Sequence, residues 1–287
     1  MTAPARRARA ALAERLRDLR RSTGLTGDQF AKRLGRGWGQ PKVSRIETGK
    51  QVPTSADVEE WAAAAGAGVQ DLLDMRERAA TEYAAFRDRY GETGGAEGFE
   101  DALAAADAAA KRIGHYQPAI VLDTLQTADY ARAVLHLADG PAVHGADEDE
   151  INRKIAARLR RQAIIHEPGR DITLLMSEAA LRIQVASPEV MATQCEHIAR
   201  LAESLTTAVI GIIPFAARMP VYGVTGWVIL DDLVTIETEG GDLEIADPEE
   251  AGRYWRYTEL LRDIALTGSE AGAFCRQVAA ETRGQRR

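Results

Sequence analysis

Gln40-Pro41-Lys42-Val43-Ser44-Arg45-Ile46-Glu47-Thr48-Gly49-Lys50 reads as one short helix with two unlike faces. Val43 and Ile46 lie three apart and turn inward, which leaves Gln40, Lys42, Ser44 and Arg45 toward solvent. Pro41 is tolerated because amides in a first helical turn have no intrahelical acceptor to lose. Glu47, near the helix end and followed by Gly49, reads as structural, holding a neighbouring amide or arginine.

The flanking sequence supplies companions for this helix. Over residues 8–22, Leu12, Leu16 and Leu19 recur at helical spacing among five arginines, at 9, 15, 17, 20 and 21. Thr26 stands three residues before Gln29, the spacing of a reciprocal N-terminal cap, and Phe30, Ala31 and Leu34 give a second helix its buried side before Gly35 stops it. Arg36-Gly37-Trp38-Gly39 then turns the chain into residues 40–50. Thr54 and Asp57 cap a fourth helix with Val58, Trp61, Ala62 and Ala65 inside, and residues 69–75 begin a fifth. Helix, turn and solvent-facing helix in this order read as a helix-turn-helix, with residues 40–50 as its recognition helix.

Charge favours DNA over a plain helical bundle. Residues 1–52 hold 13 Lys/Arg against 4 Asp/Glu, a balance of +9; the whole chain carries −7, so the remainder carries −16. Arg33, Lys42, Arg45 and Lys50 cluster about the exposed helix with few carboxylates nearby, where an ordinary solvated face would mix both signs. Gln40 suits adenine and Arg45 suits guanine through two-pronged base-edge hydrogen bonds. Lys42, Ser44 and Lys50 suit phosphate, which sets register without reading sequence.

The 287 residues, 28% charged and 45% hydrophobic, can form two domains with separate cores. No run of about 18 uncharged apolar residues occurs and the basic N-terminus lacks an apolar signal core, so a cytoplasmic protein without membrane contact is expected. Residues 71–90 continue helically, with Leu72, Ala79, Tyr83, Phe86 and Tyr90 on one stripe; four glycines in residues 91–98 suggest a flexible break, and an alanine-rich helix follows to Ile113. His144 to Glu150 reads as a loop entering a helix over 148–166, acidic first and arginine-rich later, as the helix dipole favours. Apolar runs at 172–176, 209–213, 226–230, 234–239 and 243–246 read as strands, the last two joined in a hairpin at Gly240-Gly241. Helices are expected over 188–204, from Asp247-Pro248-Glu249-Glu250 to about Thr267, and after Gly268-Ser269.

No catalytic constellation stands out. The histidines at 115, 136, 144, 166 and 197 are scattered, and Cys195 and His197, two apart on a helix, point to different faces, so no metal set is expected. Cys195 and Cys275 read as reduced, buried thiols. Asp231-Asp232 reads as a turn, and no phosphate loop or dinucleotide fingerprint follows a strand, so no cofactor is expected either. Arg158, Arg160 and Arg161 fit intramolecular ion pairs better than a second nucleic-acid patch, given the −16 around them.

Residues 25–35 together with residues 40–50 resemble a Cro/cI-like, xenobiotic-response-element-type helix-turn-helix domain. The whole chain resembles a large actinobacterial family in which this domain precedes a C-terminal domain of unknown function, described as Scr-type antitoxin-like regulators. The markers are Tyr116-Gln117-Pro118, residues 125–135, Arg158-Leu159-Arg160-Arg161-Gln162, Ser177-Glu178-Ala179-Ala180-Leu181-Arg182 and Ile213-Pro214-Phe215. The chain departs from the pattern at three places. Gly27 stands where a glutamine usually touches phosphate and braces the recognition helix, Arg36-Gly37 lengthen the turn, and Val121-Leu122-Asp123-Thr124 replaces valine-proline-glycine-leucine. The resemblance implies transcriptional regulation, with a gene for a small partner protein often nearby.

The expected architecture is an all-α helix-turn-helix domain over 1–75, a helical connector over 76–113, and an α+β domain over 114–287 with a small antiparallel sheet that senses an effector, binds a partner or dimerises. Double-stranded DNA is the expected ligand, through Arg33, Gln40, Lys42, Ser44, Arg45 and Lys50. A homodimer is expected because one such head buries limited surface and two read half-sites a duplex turn apart. The competing expectations are an antitoxin-like protein that holds a small partner encoded nearby and autoregulates through DNA, and a DNA-directed enzyme.

Overall fold

Leucines one helical turn apart build the first core. The computed structural model describes residues 3–84, 96–139, 145–238 and 241–284. Helices α1 (Ala3–Ser22), α2 (Gly27–Leu34), α3 (Gln40–Glu47), α4 (Ser55–Ala65) and α5 (Gln70–Ala80) enclose Leu12, Leu16, Phe30, Val43, Ile46, Val58, Trp61 and Leu72. Thr26 and Thr54 each close a reciprocal cap, with Gln29 and Asp57. Phe30 and Trp61 pack with their rings tilted by 56° and centroids 5.0 Å apart, and the Trp61 indole donates to the Leu16 carbonyl at 3.1 Å, so no polar atom of that buried ring is left unmatched.

The helical reading of residues 71–90 stops at Ala80. Thr81–Ala84 instead forms strand β1; residues 85–95, which hold most of the glycine-rich stretch, lie outside the described residues, as do His144 and Gly240. After α6 (Ala96–Ala109) the chain enters β2 (Arg112–Gln117), where the sequence had suggested continuing helix as far as Ile113. Two helices follow, α7 (Ala128–Asp139) and α8 (Glu148–Arg161), then β3 (Asp171–Ser177), the single turn α9 (Ala179–Arg182), α10 (Pro188–Ser204) and β4 (Val209–Ile213). The chain closes with β5 (Trp227–Leu230), β6 (Leu233–Thr238), β7 (Gly241–Ile245), α11 (Pro248–Asp263), β8 (Leu266–Thr267) and α12 (Gly268–Gly284). Helix α11 therefore ends before Thr267, which belongs to β8.

The sheet corrects the expectation of a small antiparallel one. Eight strands are ordered β1-β7-β6-β5-β2-β3-β4-β8; β2, β3 and β4 run parallel at the centre, and antiparallel strands flank them. The reason lies in the connections. Parallel neighbours need a crossover rather than a hairpin, and α7 with α8 supply one while α9 with α10 supply the other. A strand, a helix over 188–204 and a second strand already formed such a unit in the sequence. What stayed hidden was β2, whose Arg-Ile-Gly-His-Tyr-Gln lacks an apolar run.

Pleat alternation sorts the sheet into two faces. Ile113, Ile172, Leu174, Met176, Ile210 and Ile212 pack with Met191, Cys195 and Ile198 of α10 and Ala271, Cys275 and Val278 of α12. Tyr116, Leu175, Ile213, Trp227 and Ile229 pack on the other side with Ala251, Trp255 and Leu261 of α11. Gly114 is what lets α11 approach: a Cβ there would stand 2.7 Å from the Trp255 ring. Among the described residues no helix is long and apolar enough to cross a membrane.

The two cores are joined. Strand β1, directly after α5, pairs with the edge strand β7, Thr81 opposite Ile245. Arg76 of α5 donates to the Pro53 carbonyl and forms a buried ion pair with Asp247, which also caps α11.

Candidate nucleic-acid interface

Three contacts seat α3. Val43 and Ile46 enter the core, each about 1% exposed. At the C-terminal end Glu47 accepts two hydrogen bonds from the Arg20 guanidinium, at 2.5 and 3.0 Å, and the same guanidinium holds the Leu25 carbonyl at 2.7 Å. Glu47 is thus tied to an arginine of α1, and a bidentate, partly buried pair of this kind fixes orientation as well as position. At the N-terminal end Gly27 of α2 lies beside Gln40 and Val43, whose side-chain carbons would stand at ordinary contact distance, 3.7 and 3.8 Å, from a Cβ there. The turn before α3 uses Gly35 and Gly37 at φ +97° and +93°, a left-handed backbone that other residues rarely adopt.

The six sequence-derived residues divide into groups. Gln40, Ser44 and Arg45 share the outward side of α3, with Gln40 and Arg45 exposed and Ser44 half-buried. The Arg45 Nε donates to Gln51 at 3.1 Å, a contact that leaves the outer guanidinium nitrogens for other acceptors. Lys42 lies on the flank toward α4: its ammonium is 2.6 Å from Asp57 and 4.2 Å from the centre of the Trp38 ring. Arg33 is exposed at the end of α2 with one nitrogen 3.4 Å from the Ala64 carbonyl, and Lys50 is exposed beyond α3. Sequence reasoning missed the Trp38 and Asp57 ends of the Lys42 contact. The signal was present only as Asp57 at a capping position, since its two oxygens serve the cap and the lysine separately.

The second half of the chain gathers charge inside. Arg161 pairs with Glu100 at 2.9 Å, with Asp107 at 3.0 Å and with Asp123; Arg158 meets Glu100 and donates to Gln126 at 3.0 Å. Arg158 and Arg161 are consequently internal ion pairs, while Arg160 is exposed. Burial, against the opposing pull of Arg161, raises the Asp107 carboxyl to about 6. Burial would raise Asp123 as well, but Arg161, His115 and Arg158 outweigh it and hold that carboxyl well below the usual range. Burial lowers His115 to about 4, so its imidazole is neutral. Asp123 lies in the Val121-Leu122-Asp123-Thr124 segment, and its carboxylate is one that Arg161 uses.

The other chemistry-bearing residues are structural in their surroundings. Cys195 and Cys275 are free, buried thiols, pushed up by burial to about 11 and about 12. Asp231, at φ +52°, accepts from the Lys111 and Arg112 amides at 3.1 and 2.9 Å and forms the turn between β5 and β6. Among the described residues no group of three or more His, Cys, Asp or Glu side chains could hold a metal ion.

Residues 11–80, from within α1 to the end of α5, match a helix-turn-helix domain. Residues 101–277, more than half of the chain, match a domain of unknown function, DUF5753. The chain belongs to that family. This DUF5753 member pairs the family's domain with a helix-turn-helix, which supports a DNA-binding regulator rather than an enzyme. No curated protein and no solved structure matches it.

Proposed function

We propose that the protein is a sequence-specific transcriptional regulator of the cytoplasm that reads a DNA major groove with α3. The observation that carries this reading is the seating of α3: Val43 and Ile46 inward, Glu47 clamped by Arg20, and Gln40 with Arg45 outward on a head whose first 52 residues carry +9. In this reading Gln40 and Arg45 contact base edges, while Arg33, Lys42, Ser44 and Lys50 contact phosphate. Residues 1–75 act as the DNA head, 76–113 as connector, and 114–287 as the body that senses an effector, binds a partner or dimerises. Two heads of a homodimer supply the surface that one lacks.

The test is Arg45→Ala, assayed on a duplex selected from a random pool by the wild-type protein and on random duplex. Affinity for the selected duplex should fall by about 1–3 kcal/mol with relaxed discrimination at one base pair. Equal loss on both duplexes removes the base-reading role. The resemblance to actinobacterial Scr-type antitoxin-like regulators supports a second reading, in which the body holds a small partner protein encoded nearby and DNA binding serves autoregulation. Co-expression with the neighbouring small gene distinguishes them: a stable complex that alters DNA binding favours the second.

A further inference from the structure

The loop over residues 214–226, between β4 and β5, presents an apolar surface on a rigid base. Phe215, Met219, Tyr222 and Val224 expose 65%, 42%, 90% and 60% of their surface. The Phe215 amide donates to the buried Glu178 carboxylate at 2.8 Å, the Tyr116 hydroxyl donates to the Gly223 carbonyl at 3.0 Å, and Ala217 with Val221 packs onto the core under the sheet. The anchored backbone therefore offers aromatic and thioether side chains with little ordering left to do, a composition enriched in protein interfaces. Charge is the second observation. Between Glu203 and Asp231 no carboxylate occurs, and Arg218 is the one charged side chain, in a chain whose residues after 52 carry −16.

We propose that this loop is the contact through which two copies of the chain associate. The inference rests on the DNA-binding reading, which calls for two heads on one duplex. A basic partner would be drawn to the carboxylates that dominate the body elsewhere. A second acidic body is repelled by them and meets least repulsion from a stretch of chain that carries none. An isologous contact sets the same patch against itself, and Phe, Met and Tyr are complementary to their own kind. The loop is shorter than the roughly 20–30 residues a side of a standard interface, so the association is weak alone and is reinforced when both heads hold one duplex.

Sedimentation velocity from nanomolar to high micromolar concentration, without DNA, compares the wild type with Phe215→Asp/Tyr222→Asp. The wild type self-associates, more tightly at higher salt because the repulsion between acidic bodies is screened, and the variant does so about thirtyfold or more weakly, as for loss of an interface hot spot. Equal melting curves show that the variant is folded; Tyr222→Asp alone replaces it if it is not. A wild type that stays monomeric throughout, or a folded variant that associates as tightly, overturns the proposal. Binding of both proteins to random-sequence duplex is the separate control. Its failure in both would sink the DNA reading while the sedimentation result still decides whether the loop pairs two copies.

Discussion

Lys42 shows how a side chain's surroundings redefine a role read from its type. Its ammonium is already matched by Asp57 and rests on Trp38, so it reaches a phosphate only by exchanging one anion for another. If that exchange occurs on binding, Lys42→Gln reduces the slope of log affinity against log salt by about 0.9, the value of one neutralised phosphate. An unchanged slope with weakened binding would instead make Lys42 a brace between α3 and α4. The buried cluster makes a second prediction at this scale. Asp107 takes up its proton near pH 6 in the folded chain, against about 3.9 when free, and His115 does so near 4, against about 6.5. Between these limits the folded state holds an extra proton at Asp107 while the unfolded state holds one at His115. The Asp107 contribution to stability is lost as pH rises through about 6, the His115 contribution is lost as pH falls toward about 4, and the two nearly offset. Asp107→Asn removes only the first, so its melting temperature should fall more steeply than that of the wild type on acidification from pH 6 to 4. Parallel curves for the two proteins would show that Asp107 does not titrate there.

At the scale of elements, what the sequence discloses depends on how local its cause is. The caps at Thr26 and Thr54 and the inward Val43 and Ile46 follow from spacings of a few residues, and α1 to α5 were legible for that reason; of the amide or arginine expected to meet Glu47, the one found is Arg20, 27 residues away, which no local spacing names. Strand β2 was not. It is a strand because β3 and β5 pair with it on either side, so polar His115 and bare Gly114 sit in the middle of a sheet with no apolar run to announce them. Likewise β1 exists through its pairing with β7, far along the chain. The ion pairs of Arg158 and Arg161 could be foreseen from charge balance, but not their partners Glu100, Asp107 and Asp123, which three separate segments bring together. Gly114 tests the packing account directly. Gly114→Ala drives a methyl into the Trp255 ring and should cost about 1–3 kcal/mol, read as a lowered urea midpoint with unchanged slope. A midpoint equal to the wild type's would mean that α11 is free to move away from the sheet.

For the whole molecule, separation of charge and continuity of structure work together. In this reading a head whose first 52 residues carry +9 is drawn to the duplex while the rest of the chain, at −16, is held off it, so the orientation of approach is set before any base is touched. The head is also fastened to the body, through β1 on β7 and Arg76 on Asp247, so that a change in the sheet has a mechanical route to α5 and the core of the helix-turn-helix. The central claim is that two such heads read sequence through the outward side of α3. Selection of duplexes from a random pool by the full chain tests it most directly, run beside a Gln40→Ala/Arg45→Ala variant. The account predicts that the wild type enriches a motif with two related half-sites about one duplex turn apart, and that the variant loses the motif while still binding duplex in a salt-dependent way. No enrichment by the wild type, or the same motif enriched by the variant, would contradict it.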